Sequence, residues 1–272
     1  HLLHRAAPAA PYTLTAINSS GSSAKTFTLT VVKATPVLDW VNPANIVYGT
    51  ALSSTQLNAT EVNSLAGSFS YSRTSGTVLA SGSYTITATF TPTDTTNYNT
   101  ATISVTLVVT DAPVVVTLSD LSKTYNGSTQ APTISLDVSG LTYAVTYDGS
   151  ATTPTHAGTY LVNVIVTSAN YAGSTSGYFV IAKATPTLAW STPAAIEFGV
   201  TLSATQLDAS VLGGIAGSFV YSPDFDALLT VGTHTLTATF VPTNTQDYRS
   251  ASTTVDLVVT PSSQSVLITG LS

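Results

Sequence analysis

Cysteine and methionine are both absent from this chain of 272 residues, and charge is scarce: seven Lys and Arg and thirteen Asp and Glu make up 7% of it. Without cysteine there is neither a disulfide framework nor a thiolate metal site. Seven scattered basic residues and a formal net charge of -6 exclude the footprint a phosphate backbone requires, so no nucleic-acid partner is expected. Also missing are an apolar run near the roughly 18 residues of a membrane span and any basic amphipathic helix, so no membrane insertion is expected in this segment. Glutamate occurs only at Glu61 and Glu197, which do not correspond in the repeat described below, so a repeated carboxylate pair for glycoside hydrolysis is missing. No G-x-S-x-G, P-loop, dinucleotide fingerprint or H-E-x-x-H occurs. These absences point away from an enzyme, and no catalytic, cofactor-binding or metal residue is assigned and no cofactor expected.

What fills the chain is apolar residues, 43% of it, interleaved with Thr, Ser and Asn. Solubility without charge, together with strand-like patterning, fits an exported bacterial protein, extracellular or on the cell surface. The opening HLLHRAAPAA has too short an apolar stretch for a signal peptide and reads as part of a longer polypeptide.

The strongest pattern is a repeat. KATPVLDW begins at Lys33 and KATPTLAW at Lys183, and residues 33–110 align on 183–260 without a gap, half of the positions being identical. SSTQLNA at Ser53 meets SATQLDA at Ser203, and TATFTPTDTTNY at Thr87 meets TATFVPTNTQDY at Thr237. A long fixed period of this kind marks two copies of one module around a different unit. Within a copy the apolar period is two: Tyr84, Ile86, Ala88 and Phe90 alternate with Ser and Thr, as do Ile103, Val105, Leu107 and Val109, which predicts strands with one buried face. Pro92, Asp94, Asn97 and Asn99 supply the turn between them. Short strands with Gly, Pro or Asn punctuation and no sustained helical spacing predict an all-β fold, a tandem array of small Ig-like β-sandwich modules in an elongated rod. The boundaries read as a partial module at 1–32 (a closing β-hairpin only), a repeat at 33–110, a middle module at 111–182, a second repeat at 183–260, and the first strand of a further module at 261–272. The outermost residues, 1–11 and 261–272, are expected to fray unless something packs on them.

The joints are short and hold Pro36, Pro113, Pro186 and Pro261 rather than Gly, which fixes φ and argues for taut connections over a flexible tether.

P-x-L-x-W, P-A-x-I, [YF]-G and L-S-x-T-Q-L in residues 33–110 and 183–260 resemble the YGX-type repeats of MBG and bacterial Ig-like domains of very large surface proteins and adhesins. KTYNGS at Lys123, YDGSATTPTHAGTY at Tyr147 and SANYAGS at Ser168 resemble the companion MBG domain. The resemblance implies a structural stalk or spacer, adhesin-like or filament-forming, whose partners are flanking modules of the same polypeptide. An alternative is a glycan- or protein-binding module, and self-association is conceivable. One departure stands out: Tyr84 and Tyr160 of GSY and GTY give way to His234, which is expected to lose a hydrogen bond.

Residues able to do chemistry all have plainer readings. His1 and His4 lie in a ragged terminus, and His156 and His234 lack the converging ligands zinc needs. Asp224 and Asp226 suggest the start of a calcium loop, yet Thr74 and Gly76 stand at those positions in the first copy. Asp94 with Asn97, and Asn244 with Asp247, fit turn bonding. Trp40 and Trp190 suit core or joint packing better than sugar stacking. Tyr98, Tyr171 and Tyr248 are expected to cap the ends of their own sandwiches. Lys33, Lys123 and Lys183 lack a visible acid partner for an isopeptide bond. Loops 61–65 and 72–78 differ from 211–215 and 222–228, which is where the copies have room to bind different things.

Overall fold

The computed structural model describes residues 10–263. The expectations for His1, His4 and the strand beyond Ser263 lie outside the described residues. Among the described residues every regular element is a β-strand, as the period-two pattern predicts. The chain divides into two compact units: His1–Val114 with Gly140–Thr142 and Val166–Gly173, and Val115–Ser139 with Tyr143–Ile165 and Ser174–Ser272.

In the first unit β1 (Ala10–Asn18) and β2 (Gly21–Leu29) form an antiparallel hairpin whose side chains are almost all exposed. Then come β3 (Leu38–Asp39), β4 (Ile46–Val47), β5 (Thr60–Glu61), β6 (Gly67–Tyr71), β7 (Gly82–Pro92) and β8 (Ala101–Thr110). One four-stranded sheet runs β4-β8-β7-β6, with β4 parallel to β8, and β3 pairs with β5 in a short second ladder. Ile86, Ala88, Val105, Leu107 and Val109 of the sheet bury their inward faces against Trp40, Leu52, Ala59 and Leu79. Each Val, Leu or Ile among them contributes about 1.5–3 kcal/mol on burial. Gly67 permits a close approach: a Cβ there would overlap the Phe90 ring and the Thr91 carbonyl. The unit ends with β9 (Ala112–Pro113), which pairs in parallel with β15 (Tyr171–Ala172).

The second unit contains β10 (Val116–Ser119), β11 (Ser122–Thr124), β12 (Thr133–Leu136), β13 (Tyr143–Tyr147), β14 (Gly158–Val166) and β16 (Ser174–Ala182). A sheet in the order β11-β16-β14-β13 and a β10-β12 pair repeat the same plan, again with the first strand parallel to the last. The plan recurs in β17 (Leu188–Ala189), β18 (Ile196–Glu197), β19 (Ser210–Val211), β20 (Gly217–Ser222), β21 (Gly232–Pro242) and β22 (Ala251–Thr260), with sheet order β18-β22-β21-β20. Leu202, Leu236, Leu257 and Val259 occupy the places of Leu52, Ile86, Leu107 and Val109.

Candidate functional site

The repeated phrases that invite a search for chemistry turn out to be self-bonding. In SSTQL, Gln56 Oε1 accepts hydrogen bonds from Ser53 N (3.1 Å) and Ser53 Oγ (3.2 Å), and the Gln56 carbonyl receives the Trp40 indole N–H at 3.2 Å. SATQL repeats this: Ser203 N and Oγ bond Gln206 Oε1 at 3.0 and 2.9 Å, and Trp190 donates to the Gln206 carbonyl at 3.1 Å. Both tryptophans also meet a tyrosine edge-on, Tyr71 at 5.4 Å and Tyr221 at 5.6 Å. Sequence reasoning left core and joint open for Trp40; it is buried in the core.

KATP has an equally definite role. Lys33 Nζ donates to the Thr95 carbonyl at 2.7 Å, Ala34 N to the Asn97 carbonyl at 2.9 Å, and Asn99 N back to the Ala34 carbonyl at 2.8 Å. Lys183, Ala184 and Arg249 reproduce the set on the second turn, with Lys183 Nζ 2.6 Å from the Thr245 carbonyl. Pro36 and Pro186 are buried beneath these bonds. At the intervening joint Ala112 N donates to the Asn170 carbonyl and Val114 N to the Ala172 carbonyl, each at 2.9 Å. The connecting segment is thus zipped onto the closing turn that follows it in sequence at the joints of Pro36, Pro113 and Pro186. The lysines hold main-chain carbonyls, not carboxyl partners.

A second device operates at two of the joints and escaped the sequence reading. Within the first unit, Ser81 N and Oγ donate to Asn170 Oδ1 at 2.8 and 3.3 Å, and the rings of Tyr48 and Tyr171 meet edge-on at 5.5 Å. Within the second, Ala157 N donates to Asp247 Oδ1 at 2.7 Å, and Tyr125 meets Tyr248 edge-on at 5.3 Å. Ser81 and Ala157 both precede the glycine that opens a long strand, and Asn170 and Asp247 both precede the closing-turn tyrosine. The turn tyrosines Tyr171 and Tyr248 therefore pair with the tyrosine of an upstream [YN]G turn, a correction to the expectation that each caps its own sandwich. An aromatic edge-on pair adds about 0.5–1.5 kcal/mol beyond its buried area, which favours using the ring across the joint.

Asp247 is the most unusual side chain here: fully buried, and in the one ion pair among the described residues. Its Oδ2 receives His156 Nδ1 at 2.9 Å and Asn244 Nδ2 at 2.8 Å. An ionised carboxylate only accepts, so Nδ1 of His156 carries the proton. Burial pushes the Asp247 carboxyl up, but the bonds from Ala157, Asn244 and His156 outweigh it, and the net is below the ordinary value of 3.8. Burial and the adjacent Asp247 charge push the Tyr125 hydroxyl up.

The other candidates are also engaged locally. Asp94 Oδ1 accepts from Thr96 N and Asn97 N, and Asn244 Oδ1 from Gln246 N and Asp247 N, the turn bonding expected of them. His234 does not lose the bond its sibling tyrosines make: its Nε2 lies 2.7 Å from the Thr230 carbonyl, where Tyr84 and Tyr160 reach the Ala80 and His156 carbonyls at 3.0 and 2.8 Å. The imidazole is long enough to reach the same oxygen. Asp224 Oδ1 accepts from Phe225 N, and Asp226 takes a positive φ of 62°. Among the described residues no three His, Asp or Glu side chains gather as a metal-holding group.

Residues 114–185 match the family model of the MBG domain, which bears out the resemblance read from that stretch. No curated protein matches the chain. Among solved structures the chain is similar to Sidekick-1 immunoglobulin domains 1–5, at 13% identity over 94% of this chain and 68% of that one, with a TM-score of 0.32. It is also similar to Drosophila N-cadherin EC1-3, at 12% identity over 85% of this chain and 100% of that one, with a TM-score of 0.32. Domains 4–9 of the surface layer protein SbsC align at 13% identity over 87% of this chain and 52% of that one, with a TM-score of 0.20.

Proposed function

We propose, taking the MBG domain at residues 114–185 as the premise, that this chain is a non-catalytic stalk or spacer segment of an extracellular bacterial surface protein. The observation that carries the reading is the joint. Each connecting segment is hydrogen-bonded to a closing turn, and two joints add an Asx side chain and a tyrosine pair. Backbone held this way resists bending where a Gly/Ser tether would swivel. Supporting it, the side chains with the richest chemistry are occupied structurally: His156 by Asp247, His234 by a carbonyl, both tryptophans by glutamine carbonyls. Scarce charge and abundant hydroxyls suit an exported protein.

Small-angle scattering on the chain tests the reading. Three modules of roughly 30 Å in line give a maximum dimension on the order of 100 Å. A radius of gyration near ~19 Å, expected of a compact globule of 272 residues, would refute it.

A further inference from the structure

The two copies differ at one corner in a way that bears on binding. In residues 33–110 a groove of about 450 Å3 opens beside β6, lined by Leu57, Phe69, Tyr71, Arg73, Thr74 and Ser75 among others. At the Ser75 position the second copy carries Phe225, whose ring stands edge-on to Tyr221 at 5.7 Å. The main chain beneath is held alike: Gly76 and Asp226 both take positive φ, and their amides donate to the Leu52 and Leu202 carbonyls at 2.8 and 2.9 Å. Leu207 is buried where Leu57 is only partly buried. Phe225, 47% exposed, thus stands beside Tyr221 in one copy, where the other copy has only Ser75 beside Tyr71.

We propose that the groove of the first copy is a binding site for an extended polypeptide segment presenting an aromatic side chain flanked by acidic residues. The second copy supplies the template: the ring that meets Tyr221 sits in Pro-Asp-Phe-Asp, residues 223–226. Charge complements the template. Arg73 stands at the groove where the second copy has Pro223, its guanidinium lies 5.9 Å from the centre of the Tyr84 ring, and it makes no ion pair among the described residues. An incoming phenyl ring gains Leu57, Phe69 and Tyr71 as neighbours, and an adjacent carboxylate gains Arg73. The site is independent of whether the chain is a spacer.

The test is titration of the whole chain with the peptide Ac-Pro-Asp-Phe-Asp-Ala-NH2, followed by amide chemical shifts. Saturable shifts at Phe69, Tyr71 and Arg73 are expected. Ser75→Phe, which supplies the missing ring, weakens binding by about two- to tenfold, the worth of one aromatic contact. Arg73→Ala weakens it by about two- to fivefold and removes its salt dependence, as an exposed ion pair dictates. Phe225→Ser adds a second site with shifts at Phe219 and Tyr221, which keeps the idea testable if Ser75→Phe does not fold. No saturable binding, or binding unaffected by both Ser75→Phe and Arg73→Ala, overturns the proposal. So does saturation of the same residues by an oligosaccharide with none by the peptide, or a dimer of the chain that Ser75→Phe abolishes.

Discussion

Residues 33–110 and 183–260 reach one frame from sequences that agree at half their positions, yet they place their turn carboxylates oppositely. The first turn has Asp94 and then Asn97; the second has Asn244 and then Asp247. The first member of each pair does the same job, accepting the two turn amides that follow it. A neutral amide oxygen and a carboxylate serve equally there, because the acceptor is exposed and water screens the charge. The second member differs in kind: Asp247 is fully buried and receives the Ala157 amide and the His156 ring. Charge is thus tolerated inside only where a neighbouring segment brings enough donors to offset its desolvation. The frame is set by where hydrogen bonds must end, and the charge by what lies next door.

The largest effects are those that hit the shared frame. Phe90 and Phe240 are 2% and 1% exposed and sit over Gly67 and Gly217. Truncating either to Ala costs about 3–5 kcal/mol, with the two losses agreeing to within about 1 kcal/mol. Urea unfolding of Phe90→Ala and Phe240→Ala reads this directly; a markedly unequal pair would break the equivalence of the copies.

Next in size is the buried carboxylate. Asp247→Ala leaves the Ala157 amide and the His156 ring without their acceptor and costs the second unit about 2–4 kcal/mol. Asp94→Ala removes an exposed acceptor whose donors turn to water, so its loss is much smaller. Equal losses, measured by the same unfolding, would show that burial at Asp247 is not what separates the two turns.

The frame was legible in the sequence because period two and turn chemistry are local. Ile86, Ala88, Phe90, Val105, Leu107 and Val109 all face inward as their alternation required. The joints were legible as short and proline-bearing, but not in how they are held. Asn170 with Ser81, and Asp247 with His156, are separated by 89 and 91 positions, and no local rule pairs them. One signal did exist: Asn170-Tyr171 and Asp247-Tyr248 share a place in their turns, and Ser81-Gly82 and Ala157-Gly158 share a place before their strands. Recurrence of both halves marks a pair even when neither half names its partner. His234 escaped for a different reason, since tyrosine and histidine look unlike in sequence but end in a donor at nearly the same reach. The groove beside Ser75 was legible only as a divergent loop; what the divergence does depends on Phe225 folding back over Tyr221.

The smallest effect is also the most specific to Asp247. Its carboxyl sits below the ordinary 3.8 in the folded chain. A depressed folded value means the stabilisation is whole above the ordinary value and is lost as pH falls through the folded one. The second unit therefore weakens on acidification below about pH 4, by less than in Asp247→Ala, because a protonated carboxyl keeps one acceptor oxygen. The groups facing it are His156, Tyr125 and Tyr160, and the phenols stay neutral in that range. Asp247→Asn sharpens the comparison, since it copies the arrangement the molecule already uses at Asn170, where an amide oxygen receives Ser81 N at 2.8 Å. That variant retains most of the joint at neutral pH and loses the acid-sensitive part, so its unfolding midpoint changes less than the parent's between pH 5 and about pH 3. Were parent and Asp247→Asn to lose stability in parallel over that interval, the acid sensitivity would belong to other carboxylates, and Asp247 would be bonded no better folded than unfolded.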